Sequence, residues 1–272
     1  MRHGAFAALG VTLLVLAASP QPSLQAQAAA PSPPTYTAVQ LHCARFAEAS
    51  RSDTETETAR GAVKATTERD GIWSFRARDS GGGVSLDAWY DSLSLRRRAD
   101  GSEVSADTDG LIGGRYRGVL RPTGTYVEMV QPFIPDEVAE VADLAGAARD
   151  LLPPLPPVAL RPGQTWRNAG LELTRLPDTV VAGRPTLHFR LDERAEASQA
   201  LPHGDTVPVP LRQTTIERGD IYWSAVTGLV RRTRDITVDA TIPSGGRIRQ
   251  PVRSRVVQRV ELTRLPSQRA CS

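Results

Sequence analysis

Arg247-Ile248-Arg249-Gln250-Pro251-Val252-Arg253-Ser254-Arg255-Val256-Val257-Gln258-Arg259-Val260-Glu261-Leu262 is the stretch whose reading decides the fold. Ile248, Val252, Val256, Val260 and Leu262 share one parity, and Arg247, Arg249, Arg253, Arg255 and Arg259 hold the other. An apolar period of two with charge on the opposite face is the pattern of a half-buried antiparallel strand. Pro251 has no N–H to give to a ladder, so it predicts an edge position or a bulge. The preceding segment, Leu229 to Ile242, carries Asp235 and Asp239 on one parity. If the two strands are neighbours, those acids form cross-strand ion pairs with the arginines on a solvated outer face. Recognition of anionic lipid or polysaccharide is the functional alternative for that face. The clusters Arg96-Arg97-Arg98 and Arg231-Arg232-x-Arg234 are read as parts of the same solvated surface.

The alternation continues toward the N-terminus. Leu187, Phe189 and Leu191 oppose His188, Arg190 and Asp192, and Ala225-Val226-Thr227-Gly228 is a turn between Ile221–Trp223 and Leu229. Trp73, Phe75 and Ala77 share a face, Asp79-Ser80-Gly81-Gly82-Gly83 is a turn signal, and Val84, Leu86, Ala88 and Tyr90 follow at spacing two. That is a hairpin. A second is expected over Tyr116 to Met129, around Arg121-Pro122-Thr123-Gly124, and Val39, Leu41 and Cys43 read as the first strand.

One segment breaks the period. Between Pro135 and Leu152, Val138, Val141, Ala142, Ala145, Ala148 and Leu152 recur at three and four, with Asp136 and Glu137 where a helix dipole favours acids. This predicts an amphipathic helix over about 136–152, ended by the prolines of a connector at 153–162. The expected architecture is therefore mainly β: a large curved antiparallel sheet or half-barrel with one central amphipathic helix. It occupies a single domain, 36–266, with a tail at 267–272. No fixed-period repeat is present, although strands on both sides of the helix and connector could be two halves of one sheet.

Of 272 residues, 40% are hydrophobic and 5% aromatic, with 33 basic against 30 acidic side chains. Such a composition argues against disorder and excludes collagen-like and cysteine-scaffold classes. Arg2 and His3 precede an apolar run from Ala5 to Ala18, and Ala26-x-Ala28 offers a cleavage site. The run is shorter than the ~20 residues that cross a bilayer, so residues 1–28 read as a secretory signal peptide followed by a flexible leader at 29–35. No transmembrane segment is expected after cleavage, and no cysteine stands where a lipoprotein signal needs one. The mature chain keeps 32 basic and 30 acidic residues, a net +2 too small to steer it to nucleic acid. Export to the periplasm or beyond makes Cys43 and Cys271 candidates for one disulfide, worth ~5 kcal/mol in the chain-entropy model. Two free thiols are the alternative.

Catalytic signatures are missing: there is no nucleophile elbow, zinc-protease helix, phosphate loop or paired cysteine motif. Asp79-Ser80-Gly81 lacks the second acidic element an aspartic protease needs, and Asp107-Thr108-Asp109-Gly110 lacks the distal ligands of a calcium loop. Both read as turns, and Thr54-Glu55-Thr56-Glu57-Thr58 as an exposed strand. His42 and His188 sit on expected polar strand faces and His203 in a loop. No catalytic residue, metal ligand or cofactor is assigned.

Leu155-Pro156-Pro157-Val158-x-x-x-Pro162-Gly163-Gln164-Thr165-Trp166, followed by Gly219-x-Ile221-x-Trp223-x-x-x-x-Gly228-Leu229, resembles a group of exported bacterial proteins of unknown function. These in turn look like the lipoprotein-carrier (outer-membrane lipoprotein localisation) half-barrel. The resemblance implies a curved sheet plugged by helices, with an apolar cavity for acyl chains. Trp73, Phe75, Leu187, Phe189 and Trp223 are then the candidates to line it. The function expected is non-enzymatic binding of a lipid or other apolar ligand. A solid-cored structural or interaction domain with an envelope protein partner is the alternative, and a hydrolase with an unrecognised site comes third.

Overall fold

Every strand pairing is antiparallel, and the hairpin connections are short enough that consecutive strands become neighbours. The computed structural model describes residues 32–203, 206–244 and 250–266, with backbone alone for 199–203 and 206–209. The signal segment, the first residues of the leader, Arg247 to Arg249 of the decisive stretch, and the tail with Cys271 lie outside the described residues.

The strands are β1 (Arg45–Thr58), β2 (Gly61–Ser80), β3 (Gly83–Ala99), β4 (Ser102–Ser105), β5 (Tyr116–Leu120), β6 (Tyr126–Val130), β7 (Thr165–Asn168), β8 (Leu171–Val181), β9 (Arg184–His203), β10 (Thr206–Ser224), β11 (Gly228–Ile242) and β12 (Val252–Arg264). They form one open sheet of 12 strands in the order β6-β5-β3-β2-β1-β12-β11-β10-β9-β8-β7, with β4 beside β3. Each half is a meander, and the β1–β12 pair joins them. The expected hairpins at β2–β3, β5–β6 and β10–β11 form at the expected turns. In Asp100-Gly101 and Ala182-Gly183, φ is positive at both residues (50° and 78°, 50° and 73°). That is the two-residue turn whose twist matches paired strands.

The sheet is curled. From β5 to β10 there are six strand spacings, about 29 Å if flat. Tyr36 nevertheless touches both ends of that span. Its N–H donates to Pro122 O of the β5–β6 turn at 2.9 Å, and its ring meets Trp223 of β10 edge-on at 4.8 Å. The curl encloses a core of Trp73, Tyr90, Tyr116, Phe46, Phe75, Phe189 and Trp223. β6 and β7 remain as free edges, so no barrel closes.

Several expectations are corrected. The helix at 136–152 is not continuous: single turns α2 (Asp136–Ala139) and α3 (Ala147–Leu151) are separated by a break. There Asp143 Oδ1 accepts from Ala145 N at 2.9 Å, and Gly146 takes φ +70°. The break drops Leu144 into the core, and Tyr116 Oη donates to its carbonyl at 3.1 Å. Val39, Leu41 and Cys43 are not a strand. The turn α1 (Ala38–Leu41) replaces it, set by a capping box in which the Thr37 hydroxyl accepts from Gln40 N and the Gln40 side chain accepts from Thr37 N. His42 therefore follows a helical turn, with Nδ1 3.0 Å from Ala77 O, and His203 closes β9 instead of lying in a loop. Pro251 marks neither an edge nor a bulge. It immediately precedes β12, which is central, so its missing N–H costs no ladder bond. The connector is a structural strap: Leu155 is buried, its N–H donates to Thr123 O, and Tyr36 Oη donates to Pro153 O at 2.9 Å.

Candidate ligand-binding site

Register places the inner-face side chains in rows. One row is Phe189, Ile221, Arg232, Leu262 and Glu48, and the next is Leu191, Gly219, Arg234, Val260, Ser50 and Arg69. Charged groups thus stand among apolar ones under the plug formed by residues 131–164. Arg232 and Arg234 were expected on the solvated face, but their strand parity is that of Ile236, and only Arg231 points outward, to Glu261 at 3.1 Å. In the other cluster Arg97 also turns inward and donates to Glu140 O at 2.9 Å, while Arg98 pairs with Glu103 at 2.6 Å. The outer face otherwise follows expectation: Asp235 pairs with Arg259 at 3.0 Å and Asp239 with Arg255 at 3.9 Å.

Two buried carboxylates organise the inner cluster. Glu48 accepts from Arg69 at 2.5 Å, from Trp73 Nε1 at 2.8 Å and from Tyr90 Oη at 3.2 Å. Gly71 permits this: a Cβ there would stand 2.9 Å from the Tyr90 ring. Burial pushes the Tyr90 phenol well up, and the Glu48 charge adds to that. Glu217 accepts from Arg232 at 3.0 Å and from Arg234 at 2.8 and 2.6 Å. Burial alone raises a carboxyl, but the bonds from Arg234 and then Arg232 outweigh it and hold Glu217 below the usual range. Burial, with the Arg234 charge alongside, brings Arg232 down to about 10. Arg232 also donates to Asp150 O at 2.6 Å and Leu151 O at 3.2 Å, which satisfies carbonyls at the end of α3 and pins the plug to the sheet. Glu193 neighbours Glu217 across the β9–β10 ladder, and burial followed by the Glu217 charge raises it.

Between these clusters lies a cavity of about 190 Å³ whose lining includes Glu48, Arg69, Arg232, Arg234, Ile236 and Gln258. Beyond it the strands run past the plug. Their inner-face residues there are Thr54, Thr56, Ala65, Thr215, Val238, Ala240, Ile242, Val252, Ser254 and Val256. None is charged. They are half-buried, and no described element covers them. On the reverse side the same strands carry Asp53, Glu55, Lys64, Asp239, Arg253 and Arg255. The six residue steps from Ile236 to Ile242 make this uncharged strip about 20 Å long.

Of the five expected lining residues, Trp73, Phe75, Phe189 and Trp223 are fully buried in the core and Leu187 packs against it. Trp73 lies on Tyr90 with ring centroids 3.7 Å apart. None of the five belongs to the lining of the charged cavity. His188 lies on the outer face, its Nε2 2.8 Å from Asp220 Oδ1 and its ring stacked on Tyr222. Asp79-Ser80-Gly81 is a hairpin turn and Asp109–Leu111 a single 3-10 turn. No group of side chains that could hold a metal ion occurs among the described residues, and no described helix is long and apolar enough to cross a membrane.

No family model matches the chain, and no curated protein matches it. Among solved structures, it is similar to the crystal structure of Neisserial surface protein A (NspA), at 11% identity and a TM-score of 0.23, over 81% of this chain and 97% of that one. It is also similar to a putative outer membrane lipoprotein-sorting protein domain from Vibrio parahaemolyticus, at 8% identity and a TM-score of 0.15, over 84% and 87% of the two chains.

Proposed function

We propose that the protein is an exported, non-enzymatic binding protein that seats an apolar, lipid-like chain along the inner face of its open sheet. The observation that carries this reading is the strip of Val, Ile, Ala and Thr beyond the plug. A sheet face left to water ordinarily alternates to charge, as the reverse side of the same strands does. Here the face keeps an interior composition where no described element supplies an interior. Burying methylene groups against it is worth about 0.8 kcal/mol each, enough for a long chain to bind without a deep pocket. This moves the binding surface away from Trp73, Phe75, Phe189 and Trp223, whose dense packing is that of a solid core. The arrangement of Arg2 and His3, the apolar run and Ala26-x-Ala28 supports export.

The test is lipid extraction and mass spectrometry of the protein purified from its native envelope, beside the Val256→Arg variant. The wild type is expected to carry an apolar ligand. The variant should lose it while its melting temperature stays within a few degrees, because Val256 lies outside the packed core. Absence of any ligand from the wild type, together with no uptake of added lipid, would leave the solid-cored interaction domain as the reading.

A further inference from the structure

The cavity under the plug and the uncharged strip are continuous by register. Ile236 and Gln258 belong to the cavity, and Val238 and Val256 are the next inward-facing residues on the same strands. We infer that this cavity takes the anionic head, a carboxylate or phosphate, of the chain that lies on the strip; the inference rests on the function proposed above. Three buried or nearly buried guanidiniums, Arg69, Arg232 and Arg234, line the cavity and are bonded to the buried carboxylates Glu48 and Glu217, with the half-buried Glu193 beside Glu217 but outside the lining. The wall of the cavity itself therefore presents these three guanidiniums and a single buried carboxylate, Glu48. Asp143 and Asp150 also border the cavity, but both are exposed and solvated, and Arg232 and Arg234 bind the carbonyl of Asp150, not its carboxylate.

A second observation is independent of that balance. Nε of Arg69 and Nε of Arg232 are both buried without a hydrogen-bond partner, and both residues line the cavity. A buried donor with no acceptor is a net cost to the fold, and two such donors on residues that line one cavity suit an acceptor that arrives from outside. A guanidinium group suits planar carboxylate or phosphate oxygens. About 190 Å³ admits such a head and excludes a bulky one.

Calorimetric titration of the full chain with laurate, dodecyl phosphate, dodecanol and dodecyltrimethylammonium, each below its micellar concentration, and with inorganic phosphate tests this. Laurate and dodecyl phosphate should bind at least tenfold more tightly than dodecanol, and the cation should bind more weakly than dodecanol. Arg234→Gln should bring both anions to the dodecanol level, leave dodecanol unchanged, and be partly rescued in Arg234→Lys. The unchanged dodecanol affinity also reports that the variant is folded. Equal affinity for laurate and dodecanol would overturn the anionic head while leaving the strip as a chain-binding surface. Inorganic phosphate binding as tightly as dodecyl phosphate would uphold the anion site and overturn the chain reading. Failure of all five probes to bind would overturn both.

Discussion

Glu217 ties the inner cluster to the plug, because Arg232 and Arg234 both pair with it and Arg232 in turn pins the plug. Removing one partner of a buried ion pair leaves an uncompensated charge and typically costs 3–5 kcal/mol. Glu217→Gln is therefore expected to lower unfolding free energy by about that amount in urea titrations. The same group sets an acid limit. Its folded pKa lies below the ordinary 4.5, so its contribution is complete above that pH and is lost as pH falls through the folded value. Glu193, raised, works in the opposite sense and gains on acidification. The wild-type melting temperature should fall below about pH 4.5, and the fall should be shallower in Glu217→Gln. This cluster was hidden in the sequence because Arg231, Arg232 and Arg234 place charge on both parities of one strand. The usable signal was that Arg232 and Arg234 share the parity of Ile236 and Val238.

Among the elements, the strands were legible and the plug was not. Alternation and turn chemistry specify a strand locally, so the hairpin at Asp79–Gly83 follows from residues a few positions apart, and the Asp235–Arg259 pairing follows from the charged parities of two successive strands. Residues 136–152 have helical spacing too, but their backbone is held by tertiary partners: the Tyr116 hydroxyl at Leu144 O and the Arg232 guanidinium at Asp150 O. Those contacts outweigh the weak cooperativity of a short helix. The strap has a comparable anchor in the Tyr36 hydroxyl on Pro153 O. Tyr36→Phe removes that bond, and its expected cost is about 1 kcal/mol. Native-state hydrogen exchange should show faster opening confined to residues 131–164 with protection of β1 and β12 retained. Uniform loss of protection would refute a local role for the anchor.

For the molecule as a whole, the first and last strands meet at the centre of the sheet. Phe46 is level with Arg264, and Leu265 N donates to Arg45 O at 2.9 Å. The chain therefore leaves β12 beside the start of β1, two residues from Cys43. This favours the proposed Cys43–Cys271 bridge, although Cys271 itself lies outside the described residues. Intact-mass measurement without reductant should find the mature chain two hydrogens lighter than with it; equal masses would refute the bridge.

The β1–β12 pairing also governs the order in which the protein can be made. A ribosome or a secretion pore delivers β1 before β2 to β11 and β12 after them, so the middle of the sheet stays unzipped until all the intervening strands have emerged. Until then β1 offers a bare ladder to any other nascent strand, and a chain stopped short of Val252 has two such ladders that nothing of its own can fill. Closing the centre of the sheet is consequently the late step of folding, because it is the pairing between strands far apart in the chain, whereas the hairpins on either side can form as they emerge.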